Sequence, residues 1–111
     1  MKILKFKHRF VPAILSGEKT STWRLFDDKD LKEGDELLLI DKETDENFAE
    51  AEIVSVKEKK ISDIEGADYE GHEMYMNKEK MYKALQGYYG KEVGPDTLVK
   101  IIIFRLTSKR P

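Results

Sequence analysis

Nine consecutive residues gather most of the groups in this chain that could do chemistry together: Ser16-Gly17-Glu18-Lys19-Thr20-Ser21-Thr22-Trp23-Arg24. They supply an amine, three hydroxyl side chains besides that of Ser16, and a guanidinium. A lysine that loses water on burial is pushed down in pKa and can serve as a base. A threonine hydroxyl becomes a nucleophile only when a neighbouring base takes its proton. An arginine holds a phosphate, carboxylate or carbonyl through paired hydrogen bonds. Fifty residues later, Ala67-Asp68-Tyr69-Glu70-Gly71-His72-Glu73 packs four ionisable groups and an aromatic ring into one loop. A carboxylate from this loop could exchange a proton with a ligand held by Lys19, Thr22 and Arg24. That set suffices for acyl transfer or amide hydrolysis, and equally for binding a nucleotide with no reaction. It would also suffice for structural ion pairs of Lys19 and Arg24 with Glu18, Asp68 or Glu70.

The elements around these residues follow from local pattern. Gly17 can take the left-handed conformation that ends a helix. Before it, Phe10, Val11, Ile14 and Leu15 pair at i, i+4 and make one apolar stripe. Pro12 fits only a first turn, so the helix starts near Phe10. Thr20 to Leu25 reads as a strand, with Thr22 and Arg24 on one face and Trp23 and Leu25 on the other. Trp23 is thereby assigned to the core in preference to a stacking platform. Met1–Phe6 is a first strand, Glu36–Ile40 and Phe48–Val56 flank a polar hairpin loop, and Ile61–Ile64 forms a helical turn. Asn77 caps a helix running through Tyr88, with Met81, Tyr82, Leu85 and Tyr88 at helical spacing. Leu98–Leu106 is the last strand, apolar on both faces at Ile101-Ile102-Ile103.

The motif Gly-x-Lys-x-x-x-x-Arg, carried by Gly17, Lys19 and Arg24, resembles the signature of the ASCH domain, a relative of the RNA-binding PUA domain. The preceding Phe-x-x-x-Ile-Leu run and the Glu70-Gly71-His72 step before an Asn-capped helix resemble the same family, along essentially the whole chain and in an archaeal-type variant. The resemblance implies an α+β fold: a small PUA-like mixed β-barrel, with one short N-terminal helix and one longer helix before the last strand, in a single domain over residues 1–111. It implies recognition of RNA or of a single modified nucleoside, in RNA metabolism or translation. It also leaves open an amidohydrolase of the kind that removes the acetyl group of N4-acetylcytidine. Carried over by motif, the working residues are Lys19, Thr22 and Glu70, with Glu73 competing with Glu70 for the role of acid. Gly17, Arg24, His72 and Tyr69 are the candidate binding residues.

Composition sets the frame. The chain has 111 residues and no cysteine, so neither a disulfide framework nor a thiolate metal site is available. No metal-ligand spacing and no cofactor motif occurs, and none is expected. No apolar run approaches a membrane span, so a soluble, cytoplasmic, heat-adapted and monomeric protein is expected; charged residues make up 38% and amides are few. Residues 1–25 carry six Lys/Arg and one acid, residues 26–80 eight bases and nineteen acids, residues 81–111 six bases and two acids. If the two basic ends pair in space, they form a basic face on an acidic body, suited to phosphate.

Overall fold

Five strands form one mixed sheet, in the order β1-β3-β4-β5-β2, in a computed structural model that describes residues 1–109. The strands are β1 (Lys2–Phe6), β2 (Ser21–Leu25), β3 (Glu36–Asp41), β4 (Asn47–Lys60) and β5 (Leu98–Lys109). Only β1 and β3 run parallel; the other three pairings are antiparallel. Helix α1 (Val11–Ser16) follows a 3-10 turn at His8–Phe10, and α2 (Lys78–Tyr89) precedes β5. This is the expected α+β arrangement of a small PUA-like fold, with the short helix first and the longer one before the last strand.

The sheet curls into a half-barrel because β4 and β5 are irregular. Val54 is an extra residue between the Ile53–Phe104 and Ser55–Ile103 pairs, and a second shift lies between Glu50 and Ala51. Such bulges bend and twist the strand that carries them. The bend brings the two edge strands towards each other: a guanidinium nitrogen of Arg24 on β2 donates to the Lys5 carbonyl on β1 at 3.0 Å. The edges do not pair as strands, and the space between them stays open.

Each face of the sheet buries its own core. Leu4, Phe6, Ile14, Leu37, Leu39, Ile53, Ile102 and Phe104 pack on the α1 side. Trp23, Leu25, Ile61, Met81, Leu85, Val99 and Ile101 pack on the α2 side. Ile101 and Ile102 thus point to opposite cores, as the apolar run in β5 implied. The two basic chain ends meet differently from the expected way. β3 and β4 separate β1 from β5, and the N-terminal segment reaches β5 through β2, with Arg24 opposite Lys100.

Helix boundaries have local causes. Gly17 closes α1 at φ 87°, donating its N–H to the Ile14 carbonyl. Asn77 caps α2 by accepting from the Lys80 N–H at 2.9 Å. β4 extends to Lys60, with Lys57–Lys60 as its solvated strand end, because these residues remain paired with Leu98–Ile101.

Candidate functional site

The site is built where the 70–73 loop is clasped to the start of β2. The Gly71 carbonyl accepts from both the Thr20 N–H (2.9 Å) and the Ser21 N–H (3.2 Å). The Ser21 hydroxyl donates to the Glu70 carbonyl at 3.2 Å. Gly71 sits at φ 71°, and a Cβ added there would lie 2.0 Å from the Thr20 hydroxyl oxygen. Only glycine allows this approach. On the other side, the Lys19 N–H is fixed to the Ala13 carbonyl of α1 at 3.0 Å.

The clasp sets Lys19 against Glu73, Nζ to Oε2 at 2.8 Å, with the lysine side chain 6% exposed and the glutamate 35%. Burial lowers the Lys19 pKa, against the opposing pull of the Glu73 hydrogen bond. Burial alone would raise the Glu73 carboxyl, but the Lys19 hydrogen bond and charge outweigh it and hold it below its ordinary value. The 2.8 Å separation is that of an ion pair. His72 lies beside it, its Nε2 3.5 Å from Glu73 Oε1. Its ring stacks on Trp23 at 4.0 Å between centroids and 11° between planes. Burial, and then the Lys19 charge, push the imidazole down to about 4, so it is neutral at pH 7.

Thr22 and Arg24 emerge from β2 next to this pair. Arg24 Nε donates to Thr22 Oγ1 at 3.1 Å, and the guanidinium lies over the Phe6 ring at 4.7 Å. The threonine oxygen is held as an acceptor, which leaves its own proton free to be donated.

These groups line a cavity of about 450 Å³ between β1 and β2, floored by Trp23, Leu25 and Leu85 and walled by Phe10, Tyr75, Tyr88 and Tyr89. The size lies in the range of small-molecule sites. Lys5, Lys7, Lys19, Arg24, Lys29 and Lys42 line it against Asp27, Asp28 and Glu73. Asp27 is already engaged by Lys100 Nζ at 2.7 Å and by the Lys29 and Leu31 N–H groups. The cavity is thus locally basic on an acidic chain. At its rim, Phe26 is 56% exposed at φ 53°, a left-handed backbone that costs a bulky residue on the order of 1 kcal/mol or more. Its ring meets Tyr89 edge-on at 6.1 Å. Tyr88 is fastened from outside, with Lys7 Nζ 4.3 Å above its ring and Arg9 donating to its hydroxyl at 2.7 Å.

No family model matches this chain, and no curated protein does. Solved structures do. A hypothetical protein superposes with a TM-score of 0.73 at 19% identity, covering 96% of this chain and 99% of the other. A DUF984 protein of Enterococcus faecalis V583 gives 0.72 at 18% identity, covering 92% and 72%. The ASCH domain of Lactobacillus crispatus JV V101 gives 0.66 at 17% identity, covering 87% of this chain and 69% of that one. The chain has the ASCH-domain fold.

On this ASCH fold the residues singled out in the sequence separate into two groups. Lys19, Thr22, Arg24, His72 and Glu73 all line the cavity. Glu70, Tyr69 and Gly17 do not. The left-handed turn at Gly71 reverses the chain, so Glu70 is exposed on the far side and offers only its carbonyl to the clasp. Tyr69 packs beneath Trp23 at 5.2 Å and donates its hydroxyl to Met81 Sδ at 3.6 Å. It braces the wall from behind. Gly17 is exposed and ends α1. Asp68, another acid of the loop, is buried in a separate ion pair with Lys57 (2.5 Å) and Lys59 (2.8 Å). Those hydrogen bonds overcome burial and bring its pKa to about 2. Trp23 is core, as expected, and also the stacking partner of His72. Tyr75, Tyr88 and Tyr89, which the sequence offers together with Tyr69 as aromatic faces for a base, line the cavity, whereas the contributions of Phe6 and Phe26 had no local signal. Among the described residues no group of three or more His, Asp or Glu could hold a metal ion, and no helix is long and apolar enough to cross a membrane.

Proposed function

We propose that the cavity between β1 and β2 recognises a nucleobase, in RNA or in a modified nucleoside, and that the protein acts in RNA metabolism or translation. The observation that carries this reading is the composition of the walls. Flat faces at Tyr75, Tyr88 and Tyr89 stand beside a buried ion pair, Lys19–Glu73, that offers a donor and an acceptor at one spot. Base edges are read by paired donors and acceptors, and base faces by aromatic rings. Arg24 and the lysines of the rim supply the charge that a phosphate requires. The likeness to ASCH domains supports the same class of ligand.

Hydrolysis of an acylated amine on the base is a second reading, favoured by the free hydroxyl proton of Thr22. Lys19 would accept that proton only after passing its own to Glu73. The oxygen of Thr22 would attack the acyl carbon while the protonated carboxyl gives its proton to the leaving amine. A water would then cleave the acyl–Thr22 ester, releasing the carboxylic acid and restoring the hydroxyl; a water attacking in place of Thr22 would give the acid directly. In this reading Glu73 takes the acid's place offered to Glu70. The resting charged pair favours binding over turnover, since a protonated lysine is no base.

Incubation with N4-acetylcytidine tests the two. Cytidine release abolished by Lys19→Ala and by Thr22→Ala supports the hydrolase. Absence of release, with RNA binding that weakens in salt and in Arg24→Ala, supports recognition. Absence of both overturns the proposal.

A further inference from the structure

A second hollow of about 370 Å³ adjoins the cavity, lined by Arg24, Phe26, Asp27, Glu58, Thr97, Leu98 and Lys100. Arg24, Phe26 and Asp27 belong to both, so Phe26 is the partition between two neighbouring compartments. Three observations meet at this residue. Its ring is largely exposed, its backbone is left-handed where a phenylalanine is disfavoured, and it adds little to either core. A residue chosen for stability at this position would be glycine or asparagine. The exposed ring therefore has a use outside the fold.

The guanidinium at the partition has capacity to spare. Of the five N–H donors of an arginine, Arg24 commits Nε to Thr22 and one terminal nitrogen to the Lys5 carbonyl. In the second hollow the charges of Lys100 and Asp27 neutralise each other at 2.7 Å, Glu58 adds a negative charge at the wall, and Leu98 is 51% exposed. Such a compartment suits a base more than a phosphate, while the border at Arg24 suits the phosphate.

We propose that the second hollow is a subsite for the neighbouring base of a nucleic-acid strand. One base fills the cavity, the linking phosphate lies at Arg24, and the next base stacks on Phe26 over Leu98. The ligand is then a single strand of at least two nucleotides, not a free nucleoside. This rests on the cavity being a nucleobase site.

The test is a fluorescence titration of the full chain, with Trp23, the only tryptophan, as reporter. The probes are the four ribonucleosides and the matching dinucleoside monophosphates CpC, UpU, ApA and GpG. One stacked base contributes at least about 1 kcal/mol, so the best dinucleotide should bind at least about five-fold tighter than its nucleoside. Phe26→Asn should collapse that ratio towards one while leaving the melting temperature equal or higher, since asparagine tolerates the left-handed backbone. Leu98→Glu, which lies outside the cavity, should also collapse the ratio by setting a charge under the second base. A ratio near one in the unaltered chain overturns the subsite and leaves the cavity reading intact. A lower melting temperature for Phe26→Asn with an unchanged ratio makes Phe26 a packing residue and also overturns it. If neither nucleosides nor dinucleotides bind, the cavity reading falls with it.

Discussion

Glu73→Gln keeps the size of the side chain but withdraws the counter-charge from a buried amine. Removing one partner of a fully buried pair costs about 3–5 kcal/mol, whereas fully exposed pairs are worth about 0–1 kcal/mol. Lys19 is 6% exposed and Glu73 35%, so the pair lies between these limits and water screens part of the loss. A destabilisation of about 2 kcal/mol is expected, or a fall of roughly 8–16 °C in melting temperature for a domain of this size. Urea unfolding followed by Trp23 fluorescence should show a lower midpoint with an unchanged slope. Lys19→Met removes the buried charge itself, so Lys19→Met/Glu73→Gln should be more stable than Glu73→Gln alone. The cycle should return a coupling of at least about 1 kcal/mol. The difference between the native chain and Glu73→Gln should also shrink in acid. The folded-state pKa of Glu73 is lowered, so its stabilisation is present above the ordinary carboxylate range and is lost as pH falls through the folded value. A Glu73→Gln variant within about 0.5 kcal/mol of the native chain, or a coupling near zero, would mean that Lys19 is not neutralised by this loop. The convergence of β2 with the 70–73 segment would then be wrong.

Two further outcomes follow from the same geometry. Gly71→Ala forces a Cβ to within 2.0 Å of the Thr20 hydroxyl at a positive φ; strain and the loosened clasp together should cost about 3 kcal/mol in thermal unfolding, and Thr20→Ala in the same chain should return part of it. His72 has a folded-state pKa lowered to about 4, so its contribution is complete above pH 6.5 and is lost as pH falls towards 4, on the order of 3 kcal/mol. Stability curves between pH 4 and 6.5 should lose this slope in His72→Gln. His8, raised by its hydrogen bond to Asp41, acts in the opposite sense and in another window, since its stabilisation is full below pH 6.5 and fades above it.

What could be read in advance was whatever has a local cause. The stripe of α1, the parity of β2, the Asn77 cap and the two-faced β5 all express short-range periodicity, and each stands where its residues put it. The choice between Glu70 and Glu73 could not be made that way. The two are three residues apart in a loop, and a single left-handed glycine decides which one turns inwards. Tyr75, Tyr88 and Tyr89 could be offered as aromatic faces from the sequence, but the meeting of Tyr89 with Phe26 could not. Tyr89 ends α2 and Phe26 follows β2, and the two meet because Met81 and Leu85 of α2 share a core with Trp23 and Leu25 of β2, a long-range packing that no local pattern announces. Lys57-Glu58-Lys59-Lys60 reads as a solvated strand end, and β4 does run to Lys60, but the tertiary partners of these four residues could not be read. Their backbone pairs with β5, and the amines of Lys57 and Lys59 reach a buried Asp68 that lies in another loop.

The position of Trp23 ties the site to the stability of the whole domain. Its indole belongs to the core that holds α2 on the sheet, and the same ring backs His72 at the cavity. Its N–H is buried with no hydrogen-bond partner, one of the few polar groups that folding leaves unsatisfied. A site anchored on such a residue is stiff on its inner side: Lys19, Thr22 and Trp23 are buried, and the loop opposite is clasped to β2 through backbone groups. The part open to solvent is the rim, where Phe26, Lys7, Arg9 and Tyr88 are exposed. Selectivity among bases should therefore reside in the inner groups, and affinity for the strand in the rim. A ligand that engages the inner groups must also stabilise the folded chain, because it binds that state alone, by about 2.7 kcal/mol at a hundred times its dissociation constant, and so raise the melting temperature. A compound that bound only the rim would quench Trp23 little and would leave the pH dependence set by His72 as it was. Those two signatures, read together in one titration, distinguish occupancy of the cavity from attachment at its mouth.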